Sequence, residues 1–249
     1  MDVRAMLKID PEQQILAAWQ DNAQPWIEAI AAGDIRSRVE VTNQAILDAI
    51  ASVHPHHVLD LGCGEGWLSE RLLDLGIDVL ASDAVPELVQ CARQRCGGRG
   101  RFIEASYAEL AQIVQSAADS PLLDMAVANF SLLGEHSTVQ AIQACYQLLA
   151  PQGVLVIQTL HPVVACPDGR YIDGWRPGSW VGLSNRFARA APWYFRTLAS
   201  WIKTLADCGF YCCEMREPLD HQGALPCSLI LVCKKRPDVP DLSVNGVAA

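Results

Sequence analysis

Apolar positions along the chain recur with two different periods, and the change falls near His57. Before it, Trp19, Trp26 and Ile30 stand at wide helical spacing and Val39 to Ile50 has the pattern of an amphipathic segment, which predicts helices over the first fifty or so residues. After it, short apolar runs at 58–61, 77–81, 101–104, 122–128 and 153–160 alternate with helix-like stretches at 67–75, 86–96, 108–116 and 139–149. Five strands alternating with helices predict an α/β fold with a sheet wound on both faces. The alternation stops after Leu160, and about thirty-five residues rich in Gly, Pro, Trp and Arg precede a helical pattern at Leu198 to Asp207 and two last strands, 210–215 and 228–234. So long a connection suggests a functional loop, and eight of the 17 aromatic residues lie between Tyr171 and Trp201. The expected organisation is an N-terminal helical cap at 1–52, one domain at 53–235 with a substrate-cap insertion at 161–197, and a disordered tail at 236–249.

Composition narrows the class. A chain of 249 residues, 51% hydrophobic and 19% charged, can close one sizeable core. The formal net charge of −9 offers no broad positive field for a phosphate backbone, which disfavours nucleic acid as a partner. The charge is uneven: His161 to Lys203 sums to +4 through Arg170, Arg176, Arg186, Arg189, Arg196 and Lys203, leaving −13 for the rest. Ten cysteines without a C-x-x-C, after an N-terminus that has no apolar signal segment, suggest free thiols in a reducing, cytoplasmic compartment and no metal site. No apolar run reaches the ~18 residues of a membrane span. A monomer or homodimer acting on a small molecule is expected.

The most informative stretch is Val58-Leu59-Asp60-Leu61-Gly62-Cys63-Gly64-Glu65-Gly66-Trp67, a strand running into a glycine turn that opens a helix. Glycines there let a ligand lie against the backbone near a helix N-terminus. A dinucleotide prefers a third glycine at the sixth position, where Trp67 stands, and the P-loop ending in Gly-Lys-Ser/Thr is absent. The loop resembles motif I of the class I S-adenosylmethionine-dependent methyltransferases, matched by Asp60, Gly62, Gly64 and Gly66. Asp83, ending strand two, Asn129 and Phe130, ending strand four, and the run Leu148 to Leu155 also fall where that family has motifs.

The resemblance implies a Rossmann-like doubly wound sheet, mostly parallel with an antiparallel last strand. It also implies S-adenosyl-L-methionine as cofactor and S-adenosyl-L-homocysteine as product. The implied cofactor residues are Arg38, Asp60, Gly62, Gly64, Asp83, Ala84, Ser106, Tyr107, Asn129 and Phe130. Ser106 stands where the family usually has an acidic residue for the adenine amino group. Asp60 is open between organising the turn and meeting the methionine amino group, Trp67 between core and ligand wall, and Arg38 between the methionine carboxylate and a solvated or salt-bridged role. The cluster His54 to His57 precedes strand one and reads as a solvated loop. Asn129-Phe130-Ser131-Leu132 has no proline and so lacks the pattern of enzymes that methylate base amino groups.

The segment after strand five leaves from the crevice edge of the sheet and is placed to roof the acceptor. Tyr171, Trp175, Trp193 and Arg196 are the candidate substrate contacts, with Arg196 as an anion contact, so the acceptor is expected to be aromatic or anionic. His161, His136 and Tyr194 are the candidate catalytic groups should the acceptor need a base. The pair Glu135-His136 resembles the Glu-His after strand four of ubiquinone-type O-methyltransferases. The expected activity is methyl transfer to oxygen or nitrogen of a small metabolite. A tRNA or protein methyltransferase is the alternative, and an NAD-dependent oxidoreductase or a non-catalytic scaffold of the same fold is more remote.

Overall fold

A computed structural model describes residues 10–117, 122–166, 169–183 and 186–236. The expected tail at 236–249 therefore lies, beyond Arg236, outside the described residues. Two helices open the described chain, α1 (Pro11–Asp21) and α2 (Ala23–Ala32), followed by a π-helical turn at Arg38–Thr42 that runs into α3 (Asn43–Ala51). The alternating part comprises β1 (His57–Leu61), α4 (Trp67–Asp74), β2 (Asp78–Asp83), α5 (Pro86–Arg95), β3 (Arg101–Glu104), α6 (Tyr107–Gln115), β4 (Leu123–Asn129), α7 (His136–Leu148) and β5 (Leu149–Thr159). A short ribbon, β6 (Gly174–Arg176) with β7 (Trp193–Phe195), precedes α8 (Leu198–Asp207), β8 (Phe210–Arg216) and β9 (Leu229–Lys235). Among the described residues no helix is long and apolar enough to cross a membrane.

The main sheet has the order β3-β2-β1-β4-β5-β9-β8, parallel except for β9, which runs antiparallel to β5 and to β8. Strand residues alternate between two cores. Leu59, Ala126, Leu155 and Ile157 face α6, α7 and α8, whereas Val58, Met125, Val127 and Val156 face α3, α4 and α5. Burial on both faces is why these strands read as nearly continuous apolar runs. Strand order reverses between β1 and β4, and ligands in open α/β sheets bind outside the strand C-termini at such a point.

The structure differs from the sequence expectation in three places. Strand β5 begins at Leu149, where a helix-turn-strand was expected, because Leu149 pairs with Leu123 before an irregularity resets the register to Met125 with Val154. The insertion contains the β6–β7 ribbon, too short to declare a period of two. The helix leading to α3 contains a π turn that apolar spacing does not encode.

Candidate active site

The glycine loop joins β1 to α4 and is held by β2. Gly62 and Cys63 donate N–H bonds to the Ser82 carbonyl at 2.8 and 2.9 Å, and Gly64 donates to Asp83 Oδ2 at 2.9 Å. The other Asp83 oxygen accepts from Val85 N at 2.9 Å. Burial raises the Asp83 pKa, opposed by these backbone N–H bonds. Gly66, at φ +86°, could not carry a side chain: a Cβ would lie 2.8 Å from Ala92, so this glycine lets the start of α4 pack on α5. A Cβ on Gly64 would instead point at the cavity, with Trp26 Nε1 the nearest atom at 3.7 Å. Asp60 is buried with its Oδ2 accepting from Ser69 Oγ at 2.6 Å, which ties the strand end to α4, and burial pushes its carboxyl up to about 7. Its visible partner is thus the helix start, the turn-organising alternative of the two.

A cavity of about 530 Å³ opens over this loop and is lined by Gly62, Gly64, Asp83, Ala84, Ser106, Tyr107, Asn129 and Phe130, all expected at a cofactor site, together with Asp60 and Arg38. Phe130 has φ +55°, rare for a non-glycine residue, and its N–H is fixed on the Gln158 carbonyl at 2.8 Å. Ser106 donates to Glu109 Oε2 at 2.5 Å, and Tyr107 Oη donates to the Ser131 carbonyl at 3.0 Å. Asn129 Oδ1 is buried without a hydrogen-bond partner among the described residues. Trp19, Trp26, Trp180, Trp193 and Tyr194 wall the remainder.

These observations test whether S-adenosylmethionine fits. A loop whose side chain would project into the cavity, a carboxylate at the end of β2, an orphaned amide oxygen and aromatic walls suit a ligand that carries hydroxyls, N–H donors and a sulfonium. A family model described as a methyltransferase domain matches residues 58–153, the segment that builds the loop and Asp83.

Over residues 58–153 the chain is thus similar to a methyltransferase domain.

Among curated proteins, a Xylella fastidiosa ubiquinone biosynthesis O-methyltransferase is 37% identical over 128 residues, 49% of this chain and 50% of the relative. A Xanthomonas campestris protein of the same description is 38% identical over 106 residues, covering 42% and 43%. The match thus spans half the length of these relatives or less. Among solved structures, a Burkholderia thailandensis 1,6-didemethyltoxoflavin-N1-methyltransferase superposes with a TM-score of 0.61 at 19% identity over 95% of this chain and 93% of that one. A Mesorhizobium loti S-adenosylmethionine-dependent methyltransferase gives 0.56 at 21%, covering 76% and 96%.

The fold does not bring all the expected residues together. His161 is buried beside Glu217, its Nε2 2.7 Å from Oε1, and does not line the cavity. His136 is exposed at the start of α7, outside the cavity lining, with its backbone N–H donating to Glu12 Oε1 at 2.7 Å. Neither imidazole is at the cavity wall, whereas Tyr194 is, its backbone N–H donating to the Leu133 carbonyl at 2.7 Å. Burial first and Glu135 second raise the Tyr194 pKa. Tyr171 and Trp175 also lie outside the lining: Tyr171 Oη accepts from Leu198 N at 2.9 Å, and Trp175 packs edge-on against Tyr194. Trp193 does line it.

Arg196 requires correction. It is 4% exposed and its two terminal nitrogens donate to the carbonyls of Gly134 at 2.9 Å and Glu135 at 2.6 Å, so the guanidinium clamps the chain between β4 and α7. The other cations of the basic segment point elsewhere: Arg176 donates to the carbonyls of Arg170 and Ile172, Arg186 pairs with Glu28, Arg189 with Gln14 and Lys203 with Asp207. Of the segment's six cations only Arg196 lines the cavity. Arg196, the expected anion contact, is thus a backbone clamp at the cavity wall, and the segment's other five cations lie outside the lining.

Sequence reasoning missed Glu65, Trp26 and Asn22. Glu65 is 2% exposed at the cavity wall, with Oε2 accepting from Trp26 Nε1 at 2.8 Å. Asn22, fully buried between α1 and α2, accepts from Ala188 N at 2.7 Å and donates to the Arg189 carbonyl at 3.1 Å, joining the N-terminal helices to the insertion. The only signal for Asn22 was a turn-forming residue in an otherwise helical run; its partners in the insertion lie 166 and 167 positions away.

Proposed function

We propose that this protein transfers a methyl group from S-adenosylmethionine to an oxygen or nitrogen of a small, uncharged, aromatic acceptor. The observation that carries this reading is one continuous cavity that runs from the glycine loop and Asp83 to Trp193 and Tyr194, beneath a roof of α1, α2 and the insertion. Asp83 would hold the ribose hydroxyls, Gly64 would let the cofactor approach the backbone, and Asn129 Oδ1 would accept from a ligand N–H. The cofactor supplies a methyl carbon already activated by a positively charged sulfur. The chain's residues then have to align the acceptor and exclude water, which the aromatic walls do. Where the acceptor carries a proton, the Tyr194 hydroxyl, a cavity-wall group near the Glu135 carboxylate, would take that proton as it gives its own to Glu135.

Isothermal titration of the protein with S-adenosylmethionine tests the first half of the proposal, and no heat at millimolar ligand defeats it. Given binding, Asp83→Ala is expected to weaken affinity by about tenfold or more, the scale of one lost charge-assisted hydrogen bond. For the acceptor, turnover of neutral phenols and N-heterocycles is expected to exceed that of their carboxylated analogues.

A further inference from the structure

Away from the cavity, reactive side chains gather where the edge strand β8 meets β9. All ten cysteines are free, and Cys212 of β8 stands directly opposite Cys233 of β9 in the antiparallel ladder. Among the described residues no other strand register sets two cysteines face to face. Both lie on the sheet face that also carries Phe210 and Leu231, so their side chains point into the same core. Opposed residues of an antiparallel pair have Cα atoms about 4.5–5.5 Å apart, inside the range of about 4.4–6.8 Å that a disulfide spans. Just after Cys212 the register slips, Glu214 pairing with Val232, so that Cys213 is the extra residue of a bulge. Cys213 is exposed and its Sγ donates to the Val232 carbonyl at 3.2 Å.

The two opposed sulfurs are not equivalent. Cys233 is fully buried, whereas Cys212 is half-buried on the edge strand, its Sγ donating to the Glu214 carbonyl at 3.3 Å. The Cys233 thiol in turn donates to the Cys212 sulfur, and chiefly through that bond the Cys212 pKa falls to about 7. The same contact, together with burial, raises the Cys233 pKa, so the buried partner keeps its proton. Burial alone pushes the other way at Cys91, Cys96, Cys145 and Cys208, whose thiols are all held up. The thiolate is the reactive form of cysteine, and the pair therefore divides into an accessible nucleophile and a buried thiol already at its side.

We propose that Cys212 and Cys233 form a redox-active dithiol, a modification site at which hydrogen peroxide converts the pair to a disulfide between β8 and β9. The Cys212 thiolate attacks a peroxide oxygen: an S–O bond forms, the O–O bond breaks, and the departing hydroxide takes up the proton that Cys212 released, which leaves a sulfenic acid and water. The Cys233 sulfur then attacks the Cys212 sulfur. The S–S bond forms, the S–O bond breaks, and hydroxide leaves with the Cys233 proton as a second water. Two thiols are oxidised and one peroxide is reduced. A resolving thiol in contact keeps Cys212 from the irreversible sulfinic and sulfonic steps, so a thiol reductant restores the pair. Neither cysteine lines the cavity, which places this chemistry apart from methyl transfer.

The test treats the reduced, native full chain with equimolar hydrogen peroxide at pH 7, blocks the remaining thiols by alkylation and maps the peptides by mass spectrometry. The expected result is a peptide linked through Cys212 and Cys233, an intact monomer lighter by two hydrogens, and return of both thiols with dithiothreitol. Cys212→Ser is expected to abolish the linked peptide and to slow peroxide consumption by about tenfold or more, because the thiolate is gone. Cys233→Ser keeps a hydroxyl that can donate to the Cys212 sulfur but removes the resolving thiol, so Cys212 is expected to stop at the sulfenic acid and to be captured by dimedone. Cys213→Ser is expected to form the disulfide as the wild type does.

Oxidation of other cysteines while Cys212 and Cys233 stay reduced would overturn the proposal. So would a linkage made through Cys213, a linked peptide confined to covalent dimers, or a Cys212→Ser variant that consumes peroxide at the wild-type rate. Should Cys233→Ser fail to fold, the wild-type peptide map and the half-buried Cys212→Ser variant decide in its place, since neither depends on substituting a core residue.

Discussion

Asp60 and Asp83 illustrate how far a single residue can be read from its neighbours in the chain. Both were visible as carboxylates flanking a glycine turn, yet their present bonds, to Ser69 and to the N–H groups of Gly64 and Val85, follow from how β1 and β2 lie side by side. Their burial has a consequence for pH. The folded protein keeps a proton on Asp60 up to about 7, whereas an unshifted carboxyl releases it near 3.8. Between those values the native state binds more protons than the unfolded chain, so this contribution to stability is full below 3.8 and is lost as pH rises through about 7. Urea midpoints of the ligand-free protein are accordingly expected to fall between pH 5 and pH 8, and Asp60→Asn is expected to flatten that fall; an equal fall in the variant would mean that another group is responsible. Glu65 escaped the sequence reading because nothing local distinguishes it from any acidic residue in a loop. Its meaning depends on Trp26, 39 positions earlier.

At the scale of elements, the five parallel strands and their helices were legible because each buries a whole face, and burial on both sheet faces writes itself into the apolar pattern. The β6–β7 ribbon was not legible, since three residues per strand cannot declare a period and its pairing of Trp175 with Tyr194 joins separate parts of the insertion. Arg196 sits just past that ribbon and fastens it to the Gly134 and Glu135 carbonyls, with its guanidinium also over the Tyr194 and Trp201 rings. Arg196→Ala would remove the guanidinium from the Glu135 carbonyl and leave the Gly134 carbonyl with Thr138 Oγ1 alone, at 2.7 Å, at a cost of about 2–3 kcal/mol. The expected result is a lower urea midpoint together with a reduced kcat, while the ratio of KM values for charged and neutral acceptors stays as in the wild type. A selective rise in KM for the charged acceptor alone would return Arg196 to an anion-binding role.

At the scale of the whole molecule, the roof consists of two parts far apart in the sequence, joined by a buried amide as well as by the Arg186–Glu28 and Arg189–Gln14 pairs nearer the surface. Asn22 bonds α1 through the Ala18 carbonyl at 2.6 Å and the insertion through Ala188 and Arg189, and the edge-on contact of Trp19 with Trp180 lies along the same seam. Asn22→Ala should cost about 2–3 kcal/mol for the unpaired backbone groups left behind, and it should expose the insertion to limited proteolysis while the parallel core stays resistant. Cleavage at wild-type rates would mean that the aromatic contacts hold the roof without it. The sequence by itself determined the doubly wound sheet, the glycine loop and the carboxylate after β2, because these depend on local period and on residues a short distance apart in the chain. Only the tertiary structure decided which charges face the cavity: it turned the basic insertion toward helices and carbonyls, moved both histidines away, and placed Glu65 and Arg38 at the cavity wall. Partner choice among charged side chains is a matter of distance in space, and a linear pattern does not contain that distance.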